Sequence, residues 1–236
     1  MTNAYVKKNV DEVSLALKIA CTRAARANEP TLVAAVKYAD SEELVALLDA
    51  GVTDVGENRV QQLLAHLPVY AERNVRVHFI GTLQKNKIKY IIDKVYAIHS
   101  VDSIALAAEI ARHAAQRGIR VRVFAEVNIG REESKGGALP EEAKSLCEAI
   151  LSLPSLELCG LMTMAPRCES EAYRAYFRET RELAAKIWRE LQIEGKPLLS
   201  MGMSESMTEA VLEGADFVRV GRRLFVHDVA DAENRV

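Results

Sequence analysis

The chain has 236 residues, 49% of them apolar, enough for one large α/β domain or two small ones. A net charge of −2 gives no basic field, so nucleic acid is not the expected partner. No apolar run is long enough to span a bilayer, and the start MTNAYVKKNVDEV lacks an apolar signal core, so a soluble cytoplasmic protein is expected. Cys21, Cys147, Cys159 and Cys168 are scattered without a C-x-x-C pair, which predicts neither a disulfide framework nor a zinc site.

Residues 10–27 carry Val13, Leu15, Leu17, Ala20 and Ala24 at helical spacing, which predicts an amphipathic helix ahead of the first strand. Pro30 separates it from 31–40 (TLVAAVKYAD), which reads as a buried strand with Lys37 set into it. Ser41 then caps a helix to Ala50, with Glu42 and Glu43 in its first turn and Gly51 at its end. The pattern repeats: strand 52–56, helix 58–67; strand 75–81, helix 84–92; strand 95–99, helix 103–116. It continues with strand 119–129 and helix 140–151, strand 156–163 and helix 169–191, strand 198–201 and helix 205–213, and a last strand 217–221. The strands are apolar runs, as in a parallel sheet covered by helices. Eight such units predict an α/β fold, a (β/α)₈ TIM barrel with an extra N-terminal helix, over a single domain 1–236. A doubly wound open sheet is the alternative, but Tyr38-Ala39-Asp40-Ser41 stands where its glycine fingerprint belongs.

Chemistry in a barrel sits at the carboxyl ends of its strands. Those ends carry Lys37, Glu57 and Asn58, His78 and Gly81, His99 and Ser100, Glu126 and Asn128, Met162 and Thr163, Ser200 and Ser204, and Arg219 and Gly221. Five apolar residues precede Lys37. Desolvation would favour its neutral, nucleophilic amine and a Schiff-base role. The other reading is a strand-end lysine whose covered stem brings its head to water. The small residues of 199–204 (LSMGMS) and of 218–223 (VRVGRR) allow close backbone approach, and barrels often bind phosphate between these two loops. Arg219 lies inside the last strand and needs a partner. That partner is either Glu126 or Glu57 in an ion pair, or a ligand ring atom.

Other signals point away from chemistry. The lysines of 84–94 belong to a solvated amphipathic helix, and Lys135 to a flexible loop. His78 and His99 have no partners at metal-ligand spacing and read as satisfied polar groups of the barrel, so no metal is expected. Trp188 reads as packing, and no Ser-His-Asp order stands out.

The ordered motifs VAAVKYA around Lys37, DVGENRVQQL at 54–63, VHFIGTLQKNK at 77–87 and HSVDS at 99–103 continue through EVNIGREESKGG, GLMTMAP, LSMGMSESM and VRVGRRLF. Together they resemble the pyridoxal-5′-phosphate (PLP) homeostasis proteins, the YggS/PROSC family, over nearly the whole chain. The resemblance implies a fold type III PLP barrel, like the barrel domain of alanine racemase standing alone. It implies PLP as cofactor, held as an internal aldimine on Lys37, with Asn58 near the ring and Arg219 facing the pyridine nitrogen. Ser200 and Ser204, with backbone amides around Met203, Gly221 and Arg222, would hold the phosphate. Many members have Thr where this chain has Arg222, which leaves the role of that side chain open.

A two-base racemase takes its second base from an additional domain, for which a chain ending at Val236 leaves no room. The expectation is therefore a carrier or buffer in intracellular vitamin B6 homeostasis, with no established catalytic residue. Its partners would be PLP and PLP-dependent apoenzymes, and a monomer is expected. A PLP-dependent amino-acid racemase is the alternative, and a sugar-phosphate isomerase on the same barrel a third reading.

Overall fold

Each apolar run pairs in parallel with the next, and the last returns to the first, closing an eight-stranded barrel in chain order. The computed structural model describes residues 3–227. Its strands are β1 (Thr31–Ala35), β2 (Asp54–Glu57), β3 (Arg76–Phe79), β4 (Ala97–Val101), β5 (Val121–Val127), β6 (Leu156–Thr163), β7 (Leu198–Ser200) and β8 (Phe217–Val220). The helices are α1 (Ala4–Arg23), α2 (Ser41–Asp49), α3 (Val60–Arg73), α4 (Ile88–Ile91), α5 (Ile104–Gln116), α6 (Ala143–Leu151), α7 (Ser170–Glu190) and α8 (Met207–Leu212). Register between β1 and β8 runs from Thr31↔Phe217 to Ala34↔Val220, which brings the loops after these strands together. The extra helix α1 packs on α2 and α8. No helix among the described residues is long and apolar enough to cross a membrane. The chain end at Val236, on which the expectation against a racemase leans, lies outside them.

Four expectations need correction; every other expected boundary lies within three residues of the observed one. First, the opening strand stops at Ala35, and Lys37 is exposed two residues beyond it, not buried in the ladder. Second, α1 starts six residues before the expected helix and ends four residues sooner, because Val6 joins the buried face and Ala25 turns the chain at φ 50°. Third, the cap of α2 is Asp40, not Ser41: Asp40 accepts from the Glu43 amide, and the Glu43 carboxylate accepts from the Asp40 amide. Fourth, the segment after β3 opens as a 3₁₀ turn (Lys85–Lys87) before the short α4, while α3 runs on to Arg73 through Pro68 because Tyr70 extends its buried face.

Most of the core lies between the strands and the helices. Inside the barrel a small apolar cluster of Ala97, Phe124 and Met162 leaves room for polar groups beside it. Asp54, His78, His99, Ser200 and Arg219 occupy inward-facing positions and are all buried. They form one continuous line of hydrogen bonds. Arg76, half exposed at the amino end of the barrel, grips both Asp54 oxygens at 2.7 and 2.8 Å. Asp54 meets His78 at 2.9 Å, His78 meets His99 at 2.9 Å, and His99 meets Ser200 at 2.8 Å. Arg219 completes the line with 2.7 Å to Ser200. The two histidines are satisfied polar groups, as their residue type and spacing suggest.

Burial alone would raise the Asp54 carboxyl, but hydrogen bonds from His78, Arg76 and Thr53 bring it down to about 2. Burial, with the field of Arg219, holds His99 neutral, well below the usual histidine range. Glu126, also buried, is pushed up to about 7 by burial, opposed by Arg219 and reinforced by Asp102.

A close backbone approach positions the next residue along. A Cβ on Gly81 would stand 2.2 Å from the Asn58 carbonyl oxygen, so only glycine lets the segment after β3 lie against the segment after β2. Gly81→Ala should cost about 1–3 kcal/mol of stability in urea unfolding, as overpacked sites do; an unchanged midpoint would show that Asn58 can retreat. A second expectation concerns pH. Between about 4.3 and 7 the folded chain holds one more proton at Glu126 than the unfolded chain, so this group favours folding increasingly as pH falls. His99 acts in the opposite sense: the unfolded ring takes a proton below about 6.5 and the folded ring does not, so its contribution is lost as pH falls. The two offset each other. Glu126→Gln should uncover the histidine, with stability falling by about 1.4 kcal/mol per pH unit more steeply than wild type between about pH 6.5 and 5. Parallel pH profiles would mean that Glu126 is ionised in the folded chain.

Candidate functional site

A cavity of about 300 Å³ opens at the carboxyl ends of the strands, the lower end of the size range of small-molecule sites. Lys37, Asn58, Met203, Ser204, Arg219, Gly221 and Arg222 all line it. Seven residues from four loops and strands, far apart in sequence, thus share one pocket. Ile80, Met164 and Tyr173 supply apolar wall, and Arg167 and Glu205 stand on the rim.

Lys37 reaches the pocket because β1 ends at Ala35 and the chain turns outward, with the Ala39 amide bonded to the Val36 carbonyl. Its Nζ lies 4.3 Å from the ring centroid of Tyr38. A hydrogen bond from Lys37 draws the Tyr38 phenol below its usual range, burial acting slightly against it. Tyr38 was not singled out in the sequence, although it adjoins the lysine. The strand-end reading of Lys37, with its head accessible, matches the observed placement.

Arg219 is 5% exposed and forms part of the pocket floor. Its two terminal nitrogens donate to Ser200 Oγ at 2.7 Å and to the Thr163 carbonyl at 2.8 Å. Burial lowers its pKa to about 10, with Glu126 opposing, so it stays a cation at neutral pH. Of the two readings, the ion pair is not formed among the described residues: Glu57 faces the other way, accepting from Tyr70 at 2.5 Å and meeting His66 at 2.7 Å, and Glu126 acts on Arg219 only through its field.

Ser200 is the site residue the structure moves. It is fully buried, does not line the cavity, and spends its hydroxyl on Arg219 and His99. Held within β7 between His99 and Arg219, it supports Arg219 from inside the barrel.

The loop after β7 makes the remaining cradle. Gly202 adopts φ +91°, and a Cβ there would meet Ala210 at 2.4 Å. Met203 donates its amide to Ser206 Oγ at 3.2 Å, so this amide is already engaged by a serine the motif reading passed over. The amides of Ser204, Gly221 and Arg222 bond to no backbone carbonyl among the described residues. On the rim, Glu205 takes Arg167 at 2.9 and 3.3 Å and Arg222 at 3.4 Å. The Arg222 side chain is therefore committed to Glu205. On the opposite wall, Asn58 Oδ1 is buried without a hydrogen-bond partner among the described residues, a polar atom that a bound group would satisfy.

This arrangement can hold a small anion-bearing molecule. It offers free amides and a hydroxyl at one end, a cationic donor on the floor, and a primary amine within reach.

Comparison with known proteins identifies the family of this barrel. The family described as alanine racemase, N-terminal domain matches residues 11–228. A pyridoxal phosphate homeostasis protein of Aquifex aeolicus is 43% identical over 208 residues, covering 87% of this chain and 91% of the relative. The protein of that name from Pseudomonas aeruginosa is 33% identical, covering 93% and 94%. Among solved structures, PipY of Synechococcus elongatus with PLP bound superposes with a TM-score of 0.78 at 29% identity, covering 89% of this chain and 99% of that one. An alanine racemase of Clostridium difficile shares the fold, with a TM-score of 0.70 at 15% identity over 92% of this chain and 58% of that one. The chain belongs to the pyridoxal phosphate homeostasis protein family, built on the N-terminal barrel of alanine racemase.

Proposed function

We propose that this protein binds PLP in the pocket described, holds its aldehyde as a Schiff base on Lys37, and serves as an intracellular carrier or buffer of the cofactor. The observation that carries the reading is the convergence of an accessible lysine amine, free backbone amides and a buried guanidinium on one cavity. The residues fit the cofactor. Ser204 and the amides of Gly221 and Arg222 suit the phosphate, Arg219 suits the pyridine nitrogen, and Asn58 retains an unused buried atom on the wall. When bound, PLP supplies an aldehyde for reversible imine exchange with amines.

The protein's own groups favour holding over turnover. A permanent cation at the ring nitrogen donates a hydrogen bond without giving up a proton, so the ring remains a weak electron sink. Glu205, the carboxylate on the rim, is tied to two arginines and held below its usual range by Arg167, burial acting against it. That leaves it poorly placed as a general base. Delivery to PLP-dependent apoenzymes fits a lysine at an open mouth, and a monomer suffices because every group named comes from one chain. A racemase-like enzyme is the second reading, favoured by Tyr38, whose phenol stands beside Lys37 with a lowered pKa.

Borohydride reduction of the PLP-loaded protein should fix the cofactor onto the peptide containing Lys37, as read by mass spectrometry. Lys37→Ala should lose this adduct and the visible absorbance while keeping weak PLP binding. Fixation on another lysine would overturn the assignment. Solvent deuterium entering Cα of an amino acid, and lost in both Lys37→Ala and Tyr38→Phe, would favour the enzyme. The phosphate assignment makes a separate forecast. Arg222→Thr should change the PLP dissociation constant less than about threefold, whereas Ser204→Ala should weaken it by about tenfold, the loss of one charge-assisted hydrogen bond. The reverse order would place the Arg222 side chain on the phosphate.

A further inference from the structure

Arg219 is buried, yet no carboxylate forms an ion pair with it among the described residues. A buried guanidinium without an ion-pair partner is costly, and Glu126 reaches this one only through its field. The hydrogen-bond line beneath it leads to one. We propose that Asp54 is the remote counter-charge of Arg219, relayed through His78, His99 and Ser200 in one fixed order of hydrogen bonds. His78, His99 and Ser200 are then positioning residues for the guanidinium that faces the pocket. Its ligand-facing role rests on the PLP reading; the order of the hydrogen bonds does not.

The order follows from counting protons. A guanidinium can only donate, so the 2.7 Å contact uses a lone pair of Ser200 Oγ. The hydroxyl proton of Ser200 then goes to its other partner, His99 Nδ1, at 2.8 Å. A neutral imidazole that accepts at Nδ1 carries its proton on Nε2. His99 therefore donates from Nε2 to His78 Nδ1 at 2.9 Å. His78, by the same rule, donates from Nε2 to Asp54 Oδ1 at 2.9 Å. Asp54, an ionised carboxylate, can only accept, and Arg76 and Thr53 fill its remaining sites. With both rings neutral, a donor-only cation at one end and an acceptor-only anion at the other permit a single direction. Within this order, a second proton on His78 would set its Nδ1–H against the Nε2–H of His99 at 2.9 Å. The packing holds the rings in place: His99 stacks on Phe124 at 4.3 Å, and Tyr96 and Phe217 flank His78.

The consequence is a guanidinium fixed at two points, Ser200 and the Thr163 carbonyl. Each link in the line polarises the next, so the carboxylate sharpens the acceptor beneath Arg219 from the far end of the barrel. Asp54 itself does not line the pocket.

The test begins with the unliganded wild-type protein, its histidines labelled with ¹⁵N and read by long-range proton–nitrogen correlation. His78 and His99 should both show the Nε2–H tautomer, and His99 should keep it between about pH 6 and 8, the range in which a free imidazole titrates. An Nδ1–H form on either ring, or an ordinary titration of His99, overturns the order. Asp54→Asn should break the shared tautomer and weaken PLP binding about tenfold, although the position is outside the pocket. Ser200→Ala should weaken PLP binding to a similar degree, and it serves the same purpose if Asp54→Asn fails to fold. Arg76→Gln removes a partner of Asp54 but keeps its charge, and should leave both readouts nearly unchanged. If both Asp54→Asn and Ser200→Ala bind PLP as wild type does, the counter-charge role is overturned. A wild type with the expected tautomers that takes up no PLP would sink the proposed function and leave the relay standing.

Discussion

The pairing of β1 with β8 is the constraint on which the rest of the site depends. Those two strands carry the ends of the barrel sequence, and their register sets Val33 opposite Arg219 and Ala34 opposite Val220. Lys37 and Gly221 follow within a few residues of that seam. An amine from the beginning of the chain and amide donors from its end are thereby brought to one cavity. Gly221 also has to be small at the seam, because a Cβ there would lie 3.2 Å from the Ala35 carbonyl. Barrel closure and site assembly are in this respect the same event.

Beneath the pocket the barrel departs from the apolar filling its strands suggest. The interior carries a carboxylate, two imidazoles, a hydroxyl and a guanidinium. Such a set is tolerable in a core only when each group is satisfied. Here the members satisfy one another along a line that joins the two mouths of the barrel, with Arg76 exposed at one end and the pocket at the other. Replacement of any one leaves a neighbour unpaired, which makes the line a collective element and not a sum of contacts.

The fold was legible because it is written in a repeated local signal. Apolar runs of strand length alternating with amphipathic helices require no knowledge of distant partners. The pocket was legible to the extent that its residues sit at strand ends, and seven of the eight site positions carried over from family motifs gather there. What remained hidden depends on depth and direction. Ser200 and Ser204 look alike in sequence, but one is buried inside β7 and the other lies in the loop that follows and lines the pocket. Lys37 looked buried because the apolar run before it hides where the ladder stops. Arg222 and Glu205 are seventeen positions apart, and only the rim geometry pairs them. The partners of His99 were still further out of reach, since Ser200 lies 101 residues along the chain.

The rim pairing also shapes the field that an incoming solute meets. The pocket-lining residues include Lys37, Arg167, Arg219 and Arg222 as cations against the carboxylate of Glu205. The chain as a whole carries −2. The mouth is therefore a local positive pole on a mildly negative molecule, and an anion would be turned and drawn in by its charged end before any contact forms. That pull fades over about 8 Å at physiological ionic strength. Salt concentration should thus act on how fast such a solute arrives, more than on how firmly the closed hydrogen bonds hold it once seated.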